Sequence, residues 1–320
     1  MKLLTTKGCN KLSTYSLGGY AIALQARSKK TIVVEGKDDK TLFDRLRIDD
    51  KMSMMNTLVD TSDIIADETV SGLGAKAKID KFLDTIGVTH GAYGRFYAFL
   101  DREWEGLLDG NQETTEWSLP QENNVRFVSI GHSIENYSFS SDCVIAYLKH
   151  FGSEVGTEEV FDKIRGQMGD ILSLCAAFSE VARRRSIITR CDSIVRLDDV
   201  ILKGDSFELS TNLMAQLSAR GIGDGSSFIA DVNICKSTKW KTPKMRKKVE
   251  FLAHGHIGEN LMWVCCAKLL EISGVERKKC EDVAFGRKDE RRRFWYSWLT
   301  NTHPESRSPI DKVLELAGSV

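Results

Sequence analysis

The chain has 320 residues, 42% of them hydrophobic, and its 45 basic and 45 acidic side chains cancel. That is enough apolar material for a full core without covalent staples, and it gives no overall charge to signal a polyanion partner. The eight cysteines show neither CxxC spacing nor histidines at zinc-ligand intervals, which argues against both a zinc framework and a disulfide framework.

No apolar run reaches the ~18 residues of a spanning helix. The stretch from Leu17 to Leu24 is short and broken by Gly18 and Gly19, a poor signal peptide, so the sequence predicts a cytoplasmic protein with no membrane contact.

In chain order, residues 1–28 read as polar, with Tyr20 to Gln25 open to strand or short helix. Ile32-Val33-Val34 reads as a buried strand that delivers Glu35-Gly36 into a helix over about 39–48, with Asp38 or Asp39 as N-cap. Asn56 to Val59 reads as a second strand. A helix follows through Ile79, Phe82, Leu83 and Ile86 and stops at Gly87. Arg95 to Leu100 predicts a third strand meeting Asp101, residues 104–121 are polar and turn-like, and Val125 to Ile130 predicts a fourth strand running into His132-Ser133-Ile134-Glu135-Asn136-Tyr137. Strands alternating with helices imply a largely parallel α/β sheet with functional groups at the strands' carboxyl ends, and we assign residues 1–140 to that domain. Residues 141–320 carry helical spacing at 141–151, 157–185, 249–272 and 289–299, with a strand pair within 195–209. They predict a mostly helical second domain.

Glu35, Asp101 with Glu103, and Glu135 each follow a predicted strand. In an open parallel sheet such ends share one edge, and within an extended Asp101-Arg102-Glu103 the two carboxylates point the same way. Several acids at one rim repel each other unless a cation neutralises them, and oxygen donors suit Mg²⁺ or Mn²⁺, which can activate water and stabilise a phosphoryl group. Phosphodiester chemistry is the economical reading. Split after residue 140, the halves carry net charges of −3 and +3. The excess is clustered at Lys239, Trp240, Lys241, Lys244, Arg246, Lys247 and Lys248, and at Arg291, Arg292 and Arg293 before Phe294-Trp295-Tyr296. Basic runs beside aromatics suit a nucleic-acid strand.

The run IVVEGKDD followed by a strand ending in Asp101-x-Glu103 resembles the TOPRIM domain of primases, topoisomerases and overcoming-lysogenization-defect nucleases, with Glu103 where the second Asp is usual. HSIENY resembles a signature of TOPRIM-like bacterial proteins encoded beside ABC-type ATPases, among them the effectors of PARIS anti-phage systems; His254-Gly255-His256 is similar to a Gly-His element of that branch. The resemblance covers residues 30–140 and implies a Rossmann-like TOPRIM fold. It implies a Mg²⁺- or Mn²⁺-dependent nuclease with Glu35, Asp101, Glu103 and Glu135 as catalytic metal ligands. Lys37, Lys76 or Lys78, with His254 and His256, would then support a phosphate. It further implies a DNA or structured-RNA substrate, tRNA included, an ATPase partner that restrains a toxic effector, and a homodimer as one form of the active state. The alternative is a catalytically decayed TOPRIM module serving as a regulatory or binding subunit.

Overall fold

The structure is a computed structural model that describes residues 14–49, 57–88, 90–105, 124–151, 156–240, 249–302 and 304–319. It divides into two compact units, one of Met1–Leu100, Glu122–Phe127 and Ile310–Val320, the other of Asp101–Gln121 and Val128–Pro309. These units are not divided at residue 140: the chain leaves the sheet unit at the end of the third strand, and its last helix returns to that unit.

In the first unit, α1 (Leu17–Ala26) settles the segment left open as strand or helix. Ser16 caps it, accepting from the Gly19 N–H at 3.1 Å. Then come β1 (Lys30–Val34), α2 (Lys37–Asp49), β2 (Thr57–Thr61), α3 (Ala75–Ile86), β3 (Phe96–Leu100) and β4 (Arg126–Val128). The sheet order is β2-β1-β3-β4, and β1 runs parallel to both neighbours. Ile32, Val33 and Val34 are all buried, as are all five residues of β3, so these central strands read as continuous apolar runs rather than alternating ones. α2 carries Asp38 and Asp39 in its first turn and Arg47 in its last, matching the helix dipole. α3 ends at Gly87, whose φ of 57° favours glycine.

The second unit contains α4 (Ser141–Phe151), α5 (Glu158–Arg184), the hairpin β5 (Val200–Lys203) and β6 (Ser206–Leu209), α6 (Leu213–Ala219), α7 (Gly225–Cys235), α8 (Gly255–Ile272), α9 (Arg277–Phe285) and α10 (Lys288–Thr300). α5 and α8 pack together at the centre of its core, and β5 and β6 are antiparallel, the expected strand pair. The chain closes with α11 (Ile310–Gly318), which packs on β1 and β3. No helix among the described residues is long and apolar enough to cross a membrane. The expected turn segment over 106–121 lies outside the described residues.

Candidate functional site

At the sheet's carboxyl edge, Val34 of β1 pairs with Phe99 of β3, so the two strands end together. Glu35 follows β1 directly, and Asp101 follows Leu100, the last residue of β3. The Glu35 carbonyl accepts from Ser62 Oγ at 2.8 Å, which ties the end of β1 to the turn after β2. Asp39 does not act as an N-cap. From inside the first turn its Oδ2 accepts the Gly36 N–H at 2.9 Å, and α2 begins earlier than expected, at Lys37. Lys37 is exposed; Lys76 and Lys78, in the first turns of α3, are half-buried.

In the second unit the turn after β3 departs from the extended expectation. Glu103 has φ 55°, the left-handed region, so Asp101 and Glu103 do not alternate along a strand. Two backbone anchors and one side chain fix this turn. The Arg102 N–H donates to Ser129 Oγ at 3.0 Å, and the Glu103 N–H donates to the His132 carbonyl at 2.6 Å. The fully buried Arg102 donates from Nε to the Glu105 carbonyl at 2.8 Å and from Nη1 to the Ile130 carbonyl at 3.1 Å, while burial pulls its guanidinium down to about 10. Asp101 Oδ1 accepts the Ile134 N–H at 3.0 Å, and the Glu103 side chain is exposed.

The HSIENY run forms a short 3-10 turn, Ile134–Ser138, closed by a reciprocal cap between Ser133 and Asn136. Buried Asn136 accepts the Ser133 N–H at 2.9 Å and donates to the carbonyls of Glu250, at 2.7 Å, and Ala253, at 3.0 Å. The His132 N–H donates to the Phe251 carbonyl at 2.8 Å, and Tyr137 donates to the Ser308 carbonyl at 2.9 Å. The bonds to Glu250, Phe251 and Ala253 hold the turn against the residues leading into α8. Gly255, the first residue of α8, sits so close that a Cβ there would overlap Ser133 Oγ and Glu135 Oε2. The Glu135 carboxylate therefore lies at the positive end of an 18-residue helix.

Burial works to raise the Glu135 carboxyl, but hydrogen bonds from His256 and Ser133 and the His256 charge outweigh it and hold it at about 2. His256 lies between two acids, with Nε2 3.5 Å from Glu135 Oε1 and Nδ1 3.8 Å from Asp192 Oδ2. Its pairing with Glu135 raises its own value despite partial burial. His254 goes the other way: burial, and then the charge of His256, bring it to about 4. Its Nδ1 has no hydrogen-bond partner. Burial raises Glu259, and the nearby Glu135 charge adds to the effect against Arg291 and Lys288. A column of rings links these groups to the turn after Asp101: the Arg183 guanidinium lies 4.8 Å from the Trp104 ring centre, Trp104 lies 4.7 Å from His132, and His132 4.6 Å from His254.

Asp101, Glu103 and Glu135 thus belong to one unit together with His254 and His256, whereas Glu35 belongs to the other. Within the described residues no group of three or more His, Cys, Asp or Glu is gathered closely enough to hold a metal ion. The basic residues divide. Trp240 is 2% exposed and Lys239 pairs with Glu180 at 2.9 Å, so this part of the first cluster presents no open ring. Lys241, Lys244, Arg246, Lys247 and Lys248 lie outside the described residues. Arg291 is buried, donating to the carbonyls of Val283 at 2.6 Å and Gly286 at 3.1 Å; Trp295 and Tyr296 are core, Arg292 is half-buried and Arg293 is exposed.

Arg102, His132, Asp192 and Arg183 escaped the sequence reading. The first two stand inside the motifs that were singled out, and nothing local marks the others. No protein-family model matches the chain, nor does any curated protein.

Proposed function

We propose that the chain is a TOPRIM-type, Mg²⁺- or Mn²⁺-dependent endonuclease acting on DNA or structured RNA, tRNA among its candidate substrates. The observation that carries this reading is the pair of adjacent parallel strands, β1 and β3, whose carboxyl ends run straight into Glu35 and Asp101. The donor chemistry fits a hard divalent cation: Glu35, Asp101, Glu103 and Glu135 offer only carboxylate oxygens, and Glu135 is held ionised far below neutrality. Those four would be the ligands. An ion held there would supply Lewis acidity to a phosphoryl oxygen and to a water.

The chain's own groups do the rest. Ser133 and the start of α8 orient the Glu135 carboxylate. His256, half-exposed and biased toward its charged form, is the candidate donor to a phosphate oxygen in its own unit, and the resemblance offers Lys37, Lys76 or Lys78 as a further phosphate-neutralising cation. By the resemblance given above, such a nuclease is a toxic effector restrained by an ABC-type ATPase partner, in the cytoplasm, as part of anti-phage defence.

A regulatory or binding module is the second reading, and the left-handed turn at Glu103 favours it, because that carboxylate is not set beside Asp101 by strand alternation. The deciding measurement is Mg²⁺-dependent cleavage by wild-type and Glu35→Ala chains. A loss of roughly 100-fold or more with nucleic-acid binding retained supports the nuclease. A wild type that binds but never cleaves, with either metal, supports the module; a Glu35→Ala chain that cleaves like wild type overturns the nuclease reading.

A further inference from the structure

The basic stretch over 287–293 stays at the surface in part, and that part continues onto α4. Arg291 is the fastener of α10: besides its two carbonyl partners, its guanidinium lies 5.0 Å from the Trp263 ring centre. Arg287, Lys288 and Arg293 are exposed and Arg292 is half-buried. At the start of α10, the Arg287 guanidinium lies 4.4 Å from the ring centre of half-buried Phe151, the last residue of α4. On the same two helices the exposed His150 ring lies 5.2 Å from half-buried Phe294, with the planes 35° apart. The buried Tyr147 joins the two pairs, its ring 5.9 Å from Phe151 and 5.4 Å from Phe294. Each pair thus sets an exposed planar group on a ring anchored in the core. Arg287 also occupies a position that suits glycine, with φ 51° and ψ 36° at the head of α10. Such outliers gather at functional sites. Its one ion pair there, with Glu290 at 3.3 Å, is a surface pair of small worth.

We infer that α4 and α10 form a stacking platform for unpaired nucleotides, with bases laid on Arg287 and His150 and the phosphates neutralised by Lys288, Arg292 and Arg293. Aromatic and guanidinium planes accept the face of any base, and a row of cations takes the backbone. A duplex keeps its bases stacked inside and offers no such faces, so the class selected is a single strand or a loop. The platform adjoins the cluster already described: α10 also packs on the Ile134–Ser138 turn, and the Lys288 charge bears on both His256 and Glu259. The inference rests on the nucleic-acid half of the nuclease reading and names its substrate class, without drawing on a metal.

Fluorescence anisotropy of the full-length chain in EDTA tests this, with single-stranded DNA of about 12 nucleotides, an abasic strand of the same length, and the matching duplex. Wild type binds the base-bearing strand about 10-fold or more tightly than either control. Arg287→Gly relieves the backbone, so its melting temperature stays within about 2 °C of wild type while affinity for the base-bearing strand falls about 5-fold or more. His150→Ala, at an exposed position, gives a similar loss. Arg287→Lys keeps the charge and the salt slope but loses the plane, so it weakens the base-bearing strand and spares the abasic one. No binding, or equal binding of base-bearing and abasic strands, overturns the inference. So does an Arg287→Gly chain that binds like wild type or weakens only as its melting temperature falls. A preference for polyglutamate over the oligonucleotide assigns the face to an acidic protein and overturns it too. If the platform fails while the wild type cleaves with Mg²⁺, the nuclease reading stands without it; if bases bind to a chain that never cleaves, the platform stands and the nuclease reading falls.

Discussion

His254 and His256 stand two residues apart and are displaced in opposite directions from the ordinary histidine value of 6.5. His256, raised by Glu135, keeps a proton in the folded chain that the unfolded chain releases; its contribution is complete below 6.5 and is lost as pH climbs through the folded value. Glu135, held at about 2 against an ordinary 4.5, contributes fully above 4.5 and loses that contribution as pH falls toward 2. The pair is therefore at full strength between 4.5 and 6.5. Because half of the His256 side chain faces solvent, its stabilisation is below about 1 kcal/mol. His254, brought down to about 4, refuses a proton that the unfolded chain accepts, so it erodes stability progressively as pH drops from 6.5. In proton NMR without divalent cations, His256 titrates above His254, and Glu135→Gln brings His256 down toward the ordinary range. An unmoved His256 midpoint in that variant contradicts the pairing. None of this was legible from spacing alone: His254-Gly255-His256 marked two histidines, but the burial of His254 and the contact of His256 with Glu135, distant in sequence, decide which one is charged. Arg102 and Glu103 were equally opaque, since arginine between acids reads as surface and glutamate gives no left-handed signal.

Among the elements, those whose apolar period is set locally were readable: β1 and β3 as unbroken runs, and α3 through Ile79, Phe82 and Ile86. The HSIENY turn was readable as a motif but not as a joint. Its hub is Asn136, whose amide reaches carbonyls 114 and 117 residues further along the chain. Sequence names the asparagine but cannot name such partners. Asn136→Ala leaves the Ser133 N–H and two carbonyls without their partner in a buried setting, a cost of about 2–4 kcal/mol in denaturant unfolding. Hydrogen exchange then speeds at Ser133 and through the first turn of α8, and unchanged protection there means the joint is held by something else. Gly255→Ala probes the same joint from the opposite side. Its added methyl overlaps Ser133 Oγ and Glu135 Oε2, so those side chains or α8 must shift, at about 1–3 kcal/mol, and the upward displacement of His256 shrinks with the disturbed Glu135 contact.

At the scale of the molecule, the expected division at residue 140 assumed that a domain ends where strands stop, whereas the two compact units alternate along the chain. A nine-residue helix at the end of the chain has an amphipathic period but carries no address; only the structure shows that α11 lies on β1 and β3. Ile310, Val313, Leu314 and Ala317 are all buried there, and Lys30 Nζ donates to the Leu316 carbonyl at 3.2 Å and contacts Ser319 Oγ at 3.1 Å. Returning the three large apolar side chains to water costs about 5 kcal/mol or more, comparable with the whole stability of a small unit. Removing residues 310–320 is therefore expected to unfold the sheet unit while α5 and α8 keep their own core. Hydrogen exchange separates the outcomes: amides of β1 and β3 lose protection and those of α5 and α8 retain it. Leu314→Ala, milder at about 2–4 kcal/mol, gives the same pattern in weaker form. Truncated chains whose β1 amides remain protected would show that α11 covers the sheet without holding it together.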